Sequence, residues 1–297
     1  MMESRSEKNL EIAEEIEKEE RKDKNKKVFK ILFWTFIPLF IFFGISYTLL
    51  RFVGNMGLVV REYPVYIEKL DNELDGLKIV QFSDIHFNQY TSYDKIETLV
   101  NSINKTNPDI VIFTGDLIDK EYIIDNENKE KLIEELSKIN AKIGKYAIYG
   151  DEDGSNFKDI FDNINFEILD NEVYNIYIGS SLINIIAVDS KYETFELPKF
   201  DDDNLVIAIT HKPDLADKIV SDFKPDMILA GHSLNGQIVL PLIGPLIKKD
   251  GAKKYISSYY EINNTLLYVS GGIGNSNYEF RLLNHPSINF FRIRINK

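Results

Sequence analysis

The stretch Leu77-Lys78-Ile79-Val80-Gln81-Phe82-Ser83-Asp84-Ile85-His86 decides the fold. Leu77, Ile79, Val80, Phe82 and Ile85 favour extended backbone, and a short apolar run of this kind reads as a strand buried on both faces. Asp84 and His86 then fall where the strand opens into a loop, the place where α/β sheets hold their ligands. A carboxylate and an imidazole two residues apart can grip one metal ion if the loop turns both inward. The pair alone carries little weight, so the later strand ends decide.

Downstream the pattern alternates: a helix around 93–105, a strand at 109–114, a charged helix around 128–141 and a strand at 145–149. Residues 175–178 and 182–188 read as a hairpin turning at Gly179-Ser180-Ser181, and 205–210, 226–230, 255–262, 265–269 and 288–295 as further strands. Such alternation builds a layered α/β domain. The second strand runs into Gly115-Asp116, with Asp119 beyond, and the third into Gly150-Asp151-Glu152-Asp153. The strand at 205–210 meets His211, and 226–230 meets Gly231-His232-Ser233-Leu234-Asn235-Gly236-Gln237. Three of the four histidines therefore sit at strand ends. Any one of these groups reads as readily as a loop cap, but the repetition in order does not.

Asp84, Asp116, Asp151, Glu152 and Asp153 at one sheet edge repel one another, and cations are the remedy. Mixed Asp and His ligation suits Mn²⁺, Fe or Zn²⁺ better than all-oxygen Mg²⁺ or Ca²⁺. Two metals about 3.5–4 Å apart, sharing a bridging carboxylate, are a common device for displacement at phosphorus.

Residues 31–50 (ILFWTFIPLFIFFGISYTLL) carry no charge and are long enough to cross a bilayer core of about 30 Å. Pro38 and Gly44 are tolerated in such a span. Its distance from the N-terminus and the want of a small-residue cleavage site favour an uncleaved anchor over a signal peptide. Lys18, Arg21, Lys22, Lys24, Lys26, Lys27 and Lys30 precede it, against Arg51 and Arg61 after it. The N-terminus is thus expected in the cytoplasm and the large domain outside it, with a single pass through the cell membrane. The expected organisation is a tail at 1–30, the anchor at 31–50, a connector at 51–72 and a domain at 73–297. Residues 1–72 carry twelve basic and twelve acidic residues, so the whole net charge of −12 falls on that domain. Such a surface repels nucleic acid, and no basic stripe offsets it. There is no cysteine to be oxidised.

The order Asp84-x-His86, Gly115-Asp116-x-x-Asp119, the turn Gly150–Asp153, the isolated His211 and the loop Gly231–Leu234 resembles the calcineurin-like metallophosphoesterases over roughly 77–295. The run Leu240-Pro241-Leu242-Ile243-Gly244-Pro245, then Leu267–Gly272, Arg281 and Pro286, resembles their bacterial membrane-anchored branch. The resemblance implies a layered β-sandwich flanked by helices, and hydrolysis of phosphodiesters or pyrophosphates by a metal-bound hydroxide. It implies two divalent ions bridged by Asp116. One would take Asp84, His86 and the second His of the last motif; the other would take the turn's Asn, His211 and His232. The turn's His would serve the leaving group.

Three positions depart from that pattern: Asp151 stands for the Asn, Glu152 for the turn's His and Leu234 for the last His. Asp151 can still ligate. Leu234 cannot, so one site is left weak unless Asn235 reaches in. Glu152 becomes the candidate catalytic acid only if its pKa is raised, and loss of a positioned acid costs about 10²–10⁴-fold in rate. Phosphoanhydrides or aryl esters are therefore the expected substrates, either a phosphorylated small molecule or a lipid-linked one. Asn235, Gln237, Asn275, Ser276 and Arg281 are expected to line the substrate cleft. The apolar segment 238–247 is too short to span a bilayer, and packing under the loop is expected in preference to contact with lipid headgroups. The rival reading is a catalytically weak, metal-holding surface protein that binds a phosphorylated ligand or partner; a Ca²⁺-holding ectodomain is a third.

Overall fold

The quoted run forms a strand whose alternate residues are buried in different directions: Ile79 joins one apolar cluster, Val80 and Phe82 another. A side-chain period of two, with apolar cover on both faces, explains the near-continuous hydrophobic sequence. The structure is a computed structural model and describes residues 5–49, 51, 54–189, 203–275 and 280–296. Ser276 lies outside the described residues.

In chain order the elements are helix Arg5–Thr48 (α1), then Val59–Ile67 (β1), Lys78–Phe82 (β2), Tyr93–Lys105 (α2), Ile110–Thr114 (β3), Asn126–Ser137 (α3), Gly144–Ile148 (β4), Asn156–Asn163 (α4) and Glu167–Ile168 (β5). Then follow Val173–Ile178 (β6), Ser181–Val188 (β7), Leu205–Thr210 (β8), Ala216–Phe223 (α5), Met227–Ala230 (β9), Val239–Leu240 (β10), Gly244–Pro245 (β11), Tyr259–Ile262 (β12), Thr265–Val269 (β13) and Ser287–Ile295 (β14). The chain divides into two units, Met1–Leu50 and Arg51–Lys297. The first is α1, whose stretch Glu14–Thr48 is long and apolar enough to cross a membrane.

The second unit is a sandwich of two six-stranded sheets, ordered β1-β14-β2-β3-β4-β5 and β12-β13-β9-β8-β7-β6. Strands β2, β3, β4 and β5 run parallel, as do β7, β8, β9 and β13. Ile79, Ile112 and Phe291 of one sheet meet Ile185, Ile207 and Leu229 of the other between the layers. Helices α2, α3 and α4 cover the outer face of the first sheet and α5 that of the second. This is the helix-flanked sandwich that the motifs imply.

One boundary moves. Residues 51–72, read as a connector, contain β1, which pairs with β14 along nine residues and buries Val65 and Ile67. Its sequence, VVREYPVYI, holds two charges and a proline, which an edge strand with one solvated face tolerates. Its partner strand, β14, lies at the other end of the chain, so no local pattern announces it.

Parallel strands deliver their C-terminal ends to one side, and here both sheets do so at the same place. Gln81 ties them there, donating from Nε2 to Thr114 Oγ1 at 3.1 Å and to the Ala230 carbonyl of the opposite sheet at 2.8 Å.

Candidate metal centre

The loops leaving β2, β3 and β9 bend sharply. Asp84, Asp116 and His232 have φ of 50°, 62° and 67°, and His86, Leu234, Asn235 and Gln237 are also left-handed. Such backbone is disfavoured for residues with a Cβ and persists where the surroundings over-determine it, commonly at functional sites. Asp153 is one determinant: its carboxylate accepts N–H bonds from Asp116 and Gly150 at 2.8 and 2.7 Å and from Leu117 at 2.8 Å. Close approach of the β3 and β4 ends also needs glycine, since a Cβ on Gly150 would lie 2.2 Å from Asp116 Oδ1.

Among the described residues three sets of ligating atoms converge, Asp84–His86–Asp116, Asp116–His211–His232 and His86–Asp119–Glu152, with Asp116 shared by the first two. His86 Nε2 stands 3.7 Å from Asp84 Oδ1 and 3.7 Å from Asp116 Oδ2. Asp84 Oδ1, Asp116 Oδ2 and both His86 nitrogens are buried without a hydrogen bond. Buried polar atoms are ordinarily satisfied, so this clustering calls for a missing partner. Ligands held about 2.1 Å from one ion stand roughly 3–3.5 Å apart, close to the spacing here. The residues present therefore fit a divalent cation.

The second set makes the same case through its tautomers. His211 Nδ1 is 2.7 Å from the Thr114 carbonyl and His232 Nε2 2.8 Å from that of Asp250. A carbonyl only accepts, so each of these nitrogens carries the hydrogen. Neutral rings then turn lone pairs inward at His211 Nε2 and His232 Nδ1, 3.1 Å apart, with Asp116 Oδ2 3.1 Å from His211 Nε2. Two lone pairs and a carboxylate at this distance need a positive charge among them.

Without a metal, protons supply that charge. Burial opposes protonation of His211, but Asp116 beside it wins and lifts its pKa to about 9. His86 is likewise raised well above the usual imidazole value, against burial, by Asp119, Asp84 and Glu152. Burial would raise both central carboxyls, yet His86 and His211 hold Asp84 and Asp116 below the ordinary range. Burial and then the Asp116 charge push Asp153 up to about 6. His232 is lowered by burial, by His211 and by Lys249.

Of the residues expected at the site, Asp84, His86, Asp116, His211 and His232 come together. Asp151 does not join them; its carboxylate pairs with Lys212 at 2.9 Å, a cation supplied by the residue after His211. Glu152 is close by but behind His86, with Oε2 3.4 Å from Nδ1, and Asp119 stands 3.6 Å from the same nitrogen. A carboxylate behind a ligating ring is the usual means of orienting it through its other nitrogen, and that is the place Glu152 and Asp119 occupy.

Arg281 corrects another expectation. It is completely buried and donates to the carbonyls of Gly271 at 2.8 Å and Gly274 at 2.5 Å and to Asn275 Oδ1 at 3.0 Å. A guanidinium spent on main chain is not offered to a phosphate. Gln237 is also buried and ties its amide to the Phe280 carbonyl at 3.0 Å. Leu234 is wholly buried against Gly272, and the unbonded carboxamide of Asn235 lies near Gly271 and Ser287.

Lys249 escaped the sequence reading although its charge acts on both Asp84 and His232. So did Lys212 and the bracing role of Asp153. Proximity of Lys212 to His211 in sequence was a usable signal; for Lys249, seventeen positions past His232, there was none. A polar cavity opens beside His86, with Arg51, Asn88, Thr91, Lys95 and Asn275 in its wall.

A family model described as calcineurin-like phosphoesterase matches residues 77–236. A metallophosphoesterase of Bacillus subtilis, YkuE, is 30% identical over 84% of this chain and 91% of its own length. A transmembrane protein with metallophosphoesterase domain from Danio rerio is 22% identical over 77% of this chain, which spans 56% of that protein. The UDP-2,3-diacylglucosamine pyrophosphatase LpxG of Chlamydia muridarum is 25% identical over 57% of this chain and 66% of that enzyme.

Proposed function

The chain belongs to the calcineurin-like phosphoesterases, and from that premise we propose that it is a metal-dependent hydrolase of a phosphodiester or phosphoanhydride bond, held at a membrane by its N-terminal helix. The observation that carries the reading is the group of buried, unbonded atoms of Asp84, His86 and Asp116. Divalent ions held there would neutralise charge at phosphorus and lower the pKa of a coordinated water to about 7.

The rest falls to the chain. Asp116 is common to the Asp84–His86 and His211–His232 sets. The Thr114 and Asp250 carbonyls keep His211 and His232 in the tautomers that present lone pairs, and the carboxylates of Asp119 and Glu152 stand behind His86, 3.6 and 3.4 Å from Nδ1. Glu152 faces His86, which supports a reading in which it is not the acid for the leaving group. We therefore expect phosphoanhydrides and aryl esters, whose leaving groups need no proton, to be turned over in preference to alkyl diesters. Membrane association is suggested by the apolar helix and by relatives named as transmembrane proteins; a cytoplasmic N-terminus and an external domain are the orientation proposed from the flanking charges. A lipid-linked pyrophosphate suits both features.

The test is an assay of the purified full chain with Mn²⁺ on an aryl and an alkyl phosphodiester, alongside Asp116→Asn. Activity on the aryl ester that disappears with Asp116→Asn supports the proposal, and equal turnover of the two esters removes the leaving-group argument. The burial of Leu234 at a ligand position favours the rival, a metal-holding protein that binds a phosphorylated ligand without cleaving it. Activity appearing only when Leu234→His is combined with Glu152→His would establish that rival.

A further inference from the structure

Residues 238–249 read Ile-Val-Leu-Pro-Leu-Ile-Gly-Pro-Leu-Ile-Lys-Lys, without one acidic residue in a chain of net charge −12. They do not pack under the site loop, as expected above. They form the β10–β11 hairpin, rooted on the loop that carries His232: Val239 N–H donates to the Leu282 carbonyl at 3.0 Å, Leu246 N–H to that of Ile238 at 2.9 Å, and Pro245 lies against Gly236. The tip has no cover. Leu242 is fully exposed, Ile243 is 72% and Leu246 53% exposed, and Leu283, next to the hairpin's partner Leu282, is 65% exposed. An apolar cluster left in water at the end of a structured hairpin marks a surface that meets an apolar phase.

We propose that this hairpin inserts its tip into the headgroup–acyl boundary of the bilayer that α1 crosses, with Lys248 and Lys249 against anionic lipid phosphates. The proposal rests on reading α1 as the membrane anchor. Eight residues separate Leu50 from Val59, a tether of at most about 30 Å, so a bilayer is the apolar phase permanently within reach. The acidic domain as a whole is repelled by anionic lipid, and the acid-free strip ending in two lysines is the complementary patch. Because the hairpin grows from the His232 loop, its insertion would bring the candidate metal centre to headgroup level.

The chain has no cysteine, so Leu242→Cys gives a unique attachment point for an environment-sensitive fluorophore. The full chain would be reconstituted into nanodiscs of phosphatidylcholine and phosphatidylglycerol, with and without a lipid carrying a nitroxide quencher. Tyr177→Cys is the control. It is 69% exposed and pairs with Leu182 near the start of β7, the sheet end opposite His211 and His232. The expected result is a blue shift with nitroxide quenching for the Leu242 label and neither for the Tyr177 label. Ile243→Cys repeats the measurement if the first variant misfolds. A Leu242 label that stays unquenched while the chain elutes with the discs overturns the hairpin proposal and leaves the anchor standing. A blue shift without quenching places the tip against protein and also overturns it. A chain that elutes apart from the discs overturns the anchor and the hairpin together.

Discussion

Replacing Gly150 by alanine perturbs the centre without substituting any candidate ligand. The added Cβ would lie 2.2 Å from Asp116 Oδ1 and 2.4 Å from the Asp116 backbone nitrogen, where contacts under 3.0 Å are essentially never seen. Asp116 or its strand end must therefore retreat by roughly 0.8 Å or more, and because one contact is to backbone, a rotamer change does not relieve it. Displacing a catalytic group by 1 Å can cost about 100-fold in rate, and disturbing the support of metal ligands typically costs about 10–100-fold in metal affinity. Overpacking adds about 1–3 kcal/mol of destabilisation. Gly154→Ala in the same loop is the control, since nothing lies within 4 Å of its Cβ. Calorimetric titration of Mn²⁺ into the two folded variants should find the first weakened by at least tenfold and the second close to the parent. If Gly150→Ala binds Mn²⁺ like the parent, Asp116 is not a ligand held by this loop, and the reasoning fails.

Metal affinity should rise with pH up to about 9, because His211 must shed its proton to ligate. In the metal-free protein the sign is opposite. A pKa raised from the unfolded 6.5 to about 9 stabilises the fold below pH 6.5, and that contribution is lost as pH rises through 9; melting curves at pH 6.5 and 9, with and without Mn²⁺, separate the two. Arg281→Met should cost about 3 kcal/mol in chemical denaturation, since it strands the Gly271 and Gly274 carbonyls; a raised KM at unchanged stability would instead make Arg281 a substrate contact. Asp153→Asn retains one carbonyl oxygen for three N–H donors and should destabilise by about 1–3 kcal/mol, read in the same assay.

The sequence by itself determined most of the sandwich strands and the convergence of five candidate ligands. Strands buried on both faces are continuous apolar runs, and the groups at their C-terminal ends follow from chain order in parallel sheets. Only the tertiary structure decided the rest. Edge strand β1 was invisible because its partner lies more than two hundred residues away and one of its faces is wet. Asp151 and Glu152, adjacent in sequence, part company because the loop after β4 aims one at Lys212 and the other behind His86. Arg281 reads as an anion binder until its burial among main-chain carbonyls is seen. Residue type sets which chemistry a side chain can perform, and that is local; what the side chain faces depends on backbone brought in from distant strands, which no local pattern encodes.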